Sequence, residues 1–259
     1  MHDRQALSVL DLFSGLGGWS AAFRDRGHRV TTLDLDARFG ADFQMDLMDV
    51  RDLAELGGPF DVVLASPPCE CFSVMTIGRN WRPGVLGFEA RHERAAGAIA
   101  LARHTLDLIE RHRPTWWIIE NPRAMLRKLL APPTATVWYC RYGAQVAKPT
   151  DLWTNLRGPW LTCRPYNRDH IPAPRGSRTG VQGVGCSTEA QRYDNQPAGY
   201  GAKKAKGVLQ LGTQMGASPL LAAQRALIPY RLSLAVCLAC EDGGRLPNVA
   251  EVEALRGNV

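Results

Sequence analysis

The apolar run Asp61-Val-Val-Leu-Ala-Ser66 ends in Pro67-Pro68-Cys69. A stretch so rich in Val and Leu reads as a buried strand. Two prolines cannot continue a hydrogen-bonded ladder, so the strand must stop there. The cysteine is thereby delivered at the carboxyl end of a strand, where open α/β sheets place their ligands. A thiol held there is a candidate nucleophile. Taken alone, the same residues are better explained as a turn with a buried cysteine beside it.

The rest of the first half repeats the strand–breaker–helix theme. Residues 7–13 form a short apolar strand, broken by Gly15-Leu-Gly-Gly18. Residues 19–26 read as a helix ended by Gly27, and residues 30–35 as a second strand. Residues 51–56 suit a short helix. The clearest helix spans 89–113, with Ala98, Leu101, Ala102, Thr105, Leu108 and Ile109 on one stripe. His104 and His112 sit among charged neighbours and read as solvated. Residues 116–119 and 137–142 read as further strands, with a helix over 123–130. This alternation predicts an α/β fold built on a doubly wound, mostly parallel sheet.

The pattern lapses near Leu156. Residues 156–206 are rich in Gly, Pro and Arg and read as a small irregular module. Residues 207–240 resume helical character and return to the first unit, 1–155. Residues 241–259 read as a loosely held tail.

Composition narrows the class. The 259 residues are 45% hydrophobic, enough for a full core, with net charge +6 and a pI near 9.1. Such an excess is compatible with a polyanionic partner without requiring one. Seven cysteines, an odd count in a chain this long, read as reduced thiols of a cytoplasmic protein. The start lacks an apolar signal core, and no apolar stretch is long enough to cross a bilayer. Cys237-Leu-Ala-Cys240 has ligand spacing, which Cys163 and Cys186 could complete, but core thiols are the preferred reading and no metal is expected.

Asp11-Leu-Phe-Ser-Gly-Leu-Gly-Gly18 joins the first strand to the first helix. Glycines let a backbone approach a ligand, and a helix start offers free N–H groups. A tight structural turn fits the loop equally well. Asp34 ends the second strand, where an acid commonly binds ribose hydroxyls. Asp46 could accept from a purine amino group, and Phe13 could stack on the ring.

At these residues the chain resembles the cytosine-5 DNA methyltransferase family. Asp11–Gly18 resembles its cofactor motif, Pro67-Pro-Cys-Glu-Cys-Phe-Ser73 its nucleophile motif, and Glu120-Asn-Pro-Arg123 its Glu-Asn motif. All three occur in the family's order. Tyr142-Gly and Lys148-Pro-Thr-Asp-Leu-Trp-Thr-Asn155 are most similar to the compact phage and prophage branch. The resemblance implies the Rossmann-like fold of S-adenosylmethionine-dependent methyltransferases, with 156–206 as target-recognition module. It implies that Phe13 and the backbone of Ser14, Gly15, Leu16, Gly17 and Gly18 line the cofactor site, with Asp11, Leu47 and Pro67 beside them. Asp34 would hold the ribose, Leu35 would pack on adenine, and Asp46 would meet its amino group. Residues 226–229 resemble the final motif, which returns to this pocket.

Cys69 would then add to carbon 6 of cytosine, making carbon 5 nucleophilic. Glu120 would hold ring nitrogen 3 and the exocyclic amine, and Asn121 would support the loop. The family has two arginines one residue apart after the Tyr-Gly turn; by position this chain offers Lys148 and Thr150. Lys148 supplies charge, Thr150 cannot replace a guanidinium, and Arg123 is the alternative. Glu70 should point away from the thiol, and Cys71 reads as packing. A stacked base cannot reach such a pocket, so the cytosine must flip out of double-stranded DNA. Residues 73–88 read as a mobile lid presenting Ser73, Arg79, Asn80, Trp81 and Arg82 to DNA. Arg175 and Arg178 of the basic module would contact phosphates. The expected protein is a monomer, and a restriction endonuclease partner is not inferable. The alternatives are a tRNA cytosine-5 methyltransferase and a non-catalytic DNA-binding relative.

Overall fold

The computed structural model describes residues 5–85, 87–144, 148–162 and 226–254. Its main sheet has seven strands: β1 (Ser8–Leu12), β2 (Arg29–Asp34), β3 (Phe43–Gln44), β4 (Val62–Ala65), β7 (Trp116–Pro122), β8 (Ala135–Trp138) and β9 (Pro149–Thr154), in the order β3-β2-β1-β4-β7-β9-β8. The first five are parallel, and β9 is antiparallel to both neighbours. The chain runs outward to β2 and β3, then returns across β1 to β4. The switch point therefore lies between β1 and β4, and their carboxyl ends flank the crevice where such sheets bind ligands. This is the doubly wound, mostly parallel architecture that the alternation predicts.

Strand side chains alternate between two cores, as period-two geometry requires. Val9, Val62, Leu64 and Ile118 join one core with α1 (Ala21–Asp25) and α4 (Tyr230–Glu241). Leu10, Leu12, Leu33, Val63 and Ile119 join the other, beneath α3 (Glu93–His112). Helix α1 has no side-chain cap of its own. Ser233 of α4 supplies one: its hydroxyl donates to the Trp19 carbonyl and accepts from Ala22 N–H at 3.4 Å. An orphaned backbone amide N–H at a helix start is thus satisfied from far along the chain.

Several expectations change. Helix α3 begins at Glu93, because residues 87–90 belong to a hairpin of β5 (Trp81–Gly84) and β6 (Gly87–Ala90). Its buried face is Ala95, Ile99, Ala102, Thr105, Leu108 and Ile109, with Ala98 and Leu101 only partly covered. Residues 123–130 hold only a 3₁₀ turn, Leu126–Lys128. Residues 139–142 form another, Tyr139–Tyr142, beyond β8. Strand β9, not foreseen, is fully buried. Asp151 is tolerated there because Arg127 and Thr136 bond its carboxylate, and Thr154 donates to the Trp117 carbonyl at 2.5 Å.

His104 and His112 are not solvated. His104 bonds the carbonyls of Leu47 and Val50, and His112 Nε2 accepts from Phe60 N–H at 3.1 Å. Both dock α3 onto backbone groups that lack ladder partners. Nor is the stretch after 241 loose up to residue 254. Leu246 and Val252 are buried, Leu246 N–H donates to the Arg157 carbonyl at 2.9 Å, and α5 (Val249–Ala254) follows. Most of the 156–206 module, with Cys163, Arg175, Arg178 and Cys186, lies outside the described residues.

Candidate active site

The glycine loop hangs from the carboxyl end of β1. Gly15 and Gly17 take φ of +50° and +74°, which side chains on Cβ disfavour. Phe13 holds φ +60°, a strained value for a non-glycine residue. Asp34, at the end of β2, secures the loop: Oδ2 accepts from Gly15 N–H at 2.8 Å and Oδ1 from Asp36 N–H at 2.9 Å. Asp46 Oδ1 caps the next turn by accepting from Met48 N–H at 2.9 Å. Beside these groups Leu16, Leu35 and Met48 are exposed apolar side chains. Ser14, Gly15, Leu16 and Gly17 line a cleft of about 270 Å³ with Thr32 and Arg38.

Two expected cofactor residues behave differently. Leu47 is a core residue, and its carbonyl is taken by His104, so its side chain offers nothing to a ligand. Asp11 lies under the loop, fully enclosed, with Oδ2 unpartnered among the described residues. Burial raises its pKa to about 7, partly offset by hydrogen bonds with Ser20 and the charge of Arg24. Residues 226–229 pack against the glycine loop: a Cβ on Gly18 would lie 2.8 Å from the backbone nitrogen of Ile228. Residues 226–229 therefore wall this end of the crevice.

Across the switch point, Trp19 Nε1 donates to Ser66 Oγ at 2.9 Å and ties the glycine loop to the loop after β4. Asn121 Nδ2 donates to the Pro67 carbonyl at 2.9 Å, fixing the turn that carries Cys69. The Asn121 Oδ1 has no partner among the described residues. Strand β7 continues through Glu120 and Asn121 instead of stopping at Ile119, so both side chains stand on a rigid element.

Cys69 is part-exposed beside three charged side chains. Burial pushes its thiol up; Lys148 opposes that, while Glu120 and Glu70 reinforce it. Glu70 points away, as expected, to an exposed ion pair with Arg94. Cys71 is buried, its Sγ 3.8 Å from the Arg94 carbonyl. Glu120 is buried, and Lys148 Nζ lies 3.7 Å from its Oε1. Thr150 is fully buried opposite Pro122 and Val137, and it carries no charge to the site. Arg123 is exposed, with its backbone N–H on the Pro149 carbonyl at 3.0 Å.

Sequence reasoning missed Tyr139. Its hydroxyl donates to Glu120 Oε1 at 2.8 Å, and its ring lies 4.6 Å beneath Lys148 Nζ. No motif marks it, because the 3₁₀ turn after β8 brings it to β7 only in three dimensions.

The segment expected to be a lid is anchored at its base. Asn80 Nδ2 and Trp81 Nε1 both donate to the Cys71 carbonyl, at 3.1 and 2.6 Å. His92 engages Asn80 Oδ1 at 3.0 Å, and Trp81 stacks on Phe72. Asn80 and Trp81 are therefore buried supports rather than DNA-facing groups. Ser73 bonds Thr76 Oγ1 at 3.1 Å. Arg79 and Arg82 are exposed, Arg82 pairing with Glu89, and Val85 projects at the hairpin tip.

A family model of C-5 cytosine-specific DNA methylases matches residues 7–131, which include the glycine loop, Cys69 and Glu120. The chain is 31% identical over 159 residues to a Frog virus 3 (isolate Goorha) protein named "Probable DNA (cytosine-5)-methyltransferase", covering 59% of this chain and 72% of that one. The chain belongs to the cytosine-5 DNA methyltransferase family. It is also 33% identical over 128 residues to the type II methyltransferase M.AplI of Arthrospira platensis, covering 47% of this chain and 33% of that relative. Among solved structures, the Entamoeba histolytica methyltransferase EhMeth superposes with a TM-score of 0.41 at 11% identity, over 62% of this chain and 57% of that one.

No helix among the described residues of this family member is long and apolar enough to cross a membrane. The five described cysteines, Cys69, Cys71, Cys140, Cys237 and Cys240, form no disulfide among the described residues. His28, Cys237 and Glu241 lie close enough to suggest a metal site. However, His28 Nδ1 accepts from Leu7 N–H at 3.2 Å, so Nε2 carries the proton, which it gives to Glu241. That nitrogen has no lone pair left for a metal.

Proposed function

We propose that the chain is a DNA (cytosine-5)-methyltransferase that uses S-adenosylmethionine and acts through a covalent bond from Cys69 to the target base. The observation that carries this reading is the meeting of Cys69, Glu120 and Lys148 at the sheet's carboxyl edge, one strand from the glycine loop.

The residues of the cofactor end fit S-adenosylmethionine. Exposed Leu16, Leu35 and Met48 offer apolar surface to a purine, Gly18 allows close approach of the 226–229 wall, and Asp34, at the end of β2, would meet the ribose. When bound, that group supplies an electrophilic methyl to carbon 5. Everything else is asked of the chain. Attack requires the Cys69 thiolate, which Lys148 favours against the effect of burial. Bond formation between Sγ and carbon 6 sends charge into the pyrimidine ring. Glu120 meets that charge at ring nitrogen 3 by sharing a proton. Once carbon 5 is methylated, transfer of its proton to water leaves the C–H electron pair to restore the ring double bond and expel Cys69 as thiolate. The substrate base must be unstacked to reach Cys69, and the basic residues of 156–206 suit the phosphates of double-stranded DNA.

Purified protein with S-adenosylmethionine labelled in its methyl group should mark DNA at carbon 5 of cytosine and leave tRNA unmarked. Labelling of tRNA alone would replace this reading with an RNA methyltransferase. Cofactor binding with no transfer to any nucleic acid would point to a non-catalytic relative. Bisulfite sequencing of DNA from expressing cells would give the target sequence.

A further inference from the structure

The family's guanidinium is missing at Thr150, and the site is built differently here. Tyr139 reaches Glu120 from the turn after β8, and its hydroxyl donates to Oε1 at 2.8 Å. Being fully enclosed, and next to the Glu120 charge, its phenol is pushed well above its ordinary range. It therefore remains an O–H donor at every working pH. The same ring carries Lys148 on its face, with Nζ 4.6 Å from the centroid and 3.7 Å from Glu120 Oε1. Strand pairing adds rigidity, since Tyr139 N–H donates to the Lys148 carbonyl at 3.1 Å.

We infer that Tyr139 is a positioning residue for the reaction, acting through Glu120 and Lys148 together. Its hydroxyl occupies one oxygen of the Glu120 carboxyl, so Oε2 is the oxygen left to face the pyrimidine. Its aromatic face seats Lys148 beside the carboxyl, and its hydroxyl bond keeps that carboxyl from turning fully to the ammonium. A lysine seated on a tyrosine ring thus brings positive charge to a site where Thr150 carries none. The inference rests on the methyltransferase reading for its effect on rate, but not for its effect on the thiol.

The thiol effect follows from charge. Cys69 is faced by Lys148 from the residue before β9, by Glu120 from β7, and by Glu70 within its own turn, which is paired to Arg94 of α3. Without the Tyr139 hydroxyl, Glu120 turns to Lys148 as its remaining partner. The ammonium then favours the Cys69 thiolate less.

The test uses full-length Tyr139→Phe, which keeps the ring under Lys148 and removes only the hydroxyl. The pH dependence of iodoacetamide alkylation is read at Cys69 by tandem mass spectrometry, with no DNA or cofactor present. The alkylation midpoint should move to higher pH in Tyr139→Phe. It should not move when the same change is made in a Glu120→Gln background. On DNA, kcat should fall about 10- to 100-fold with the cofactor KM unchanged, as expected for loss of one hydrogen bond to a charged group. Tyr139→Phe with wild-type alkylation midpoint and wild-type kcat, whatever its melting temperature, overturns the assignment. Additive effects in the double variant also overturn it, because Tyr139 would not be acting through Glu120. A wild type that methylates no DNA, yet shows the Tyr139-dependent shift, sinks the methyltransferase reading and supports the coupling.

Discussion

The two ends of the crevice are built on opposite plans. At the proposed cofactor end, Asp34 and Asp46 are already satisfied by nearby backbone: Asp34 by Gly15 and Asp36, Asp46 by Met48. That end is a shaped loop with apolar rims, its carboxylates bonded close in sequence or between adjacent strands and its far wall supplied by Ile228. At the base end, Glu120, Tyr139 and Lys148 satisfy one another and set the environment of Cys69, and they come from separate elements. The first end selects by shape and backbone. The second is a charged group whose members cannot be changed independently.

The largest expected effect breaks the base end alone. Cys69→Ser should lower methyl transfer about 10⁴-fold or more and abolish the covalent complex with DNA containing 5-fluorocytosine. Cofactor affinity should stay within about twofold, since Cys69 shares no bond with the glycine loop. Loss of cofactor binding in this variant would show that the two ends are not separable.

Gly18→Ala attacks the other end. The new methyl would meet the Ile228 backbone at 2.8 Å, and backbone cannot swing aside as a side chain can. We expect about 1–3 kcal/mol of destabilisation from overpacking. S-adenosylmethionine should bind more weakly while the Cys69 alkylation profile is unchanged. Thermal melts with and without cofactor measure both.

Asp11 offers a pH handle on the cofactor end. An unfolded aspartate releases its proton near 3.8, while burial raises the folded value to about 7. Between those values the folded chain binds more protons, so this contribution to stability is lost as pH rises from about 4 to 7. At most about 4 kcal/mol is at stake. Denaturant unfolding at pH 5 and pH 8 should show the decline, and Asp11→Asn should flatten it. An equal slope in the variant would assign the decline elsewhere.

The smallest effect returns to the thiol. Arg94→Ala releases Glu70 from an exposed pair that contributes little to stability. The Cys69 alkylation midpoint should rise slightly, with melting temperature unchanged. A fall would mean that Glu70 does not act on Cys69 through its charge.

The same contrast explains what the sequence reveals. Asp11–Gly18, Pro67–Ser73 and Glu120–Arg123 are contiguous, so their placement on strand ends is legible from breakers and apolar runs. Asn80 and Trp81 mislead, because polar and aromatic residues beside a nucleophile suggest a DNA-facing lid. Their real partner is one backbone carbonyl at Cys71. Strand β9 hides because Thr150, Asp151 and Thr154 do not look buried until Arg127 and Trp117 are seen to satisfy Asp151 and Thr154. Tyr139 hides for the same reason: its meaning lies in an antiparallel register between β7, β8 and β9. Local chemistry is written in order along the chain, whereas cross-strand chemistry is not.

Ser233 and Ile228 carry a consequence in time. The first helix receives its missing hydrogen-bond partner from a residue 211 positions downstream, and Gly18 is walled by Ile228. During synthesis β1, β2 and the glycine loop leave the ribosome early but wait for α4 before the crevice has its last side. Under the proposed function, the capacity to hold a methyl donor therefore arrives late, after Cys69 and Glu120 have already been made.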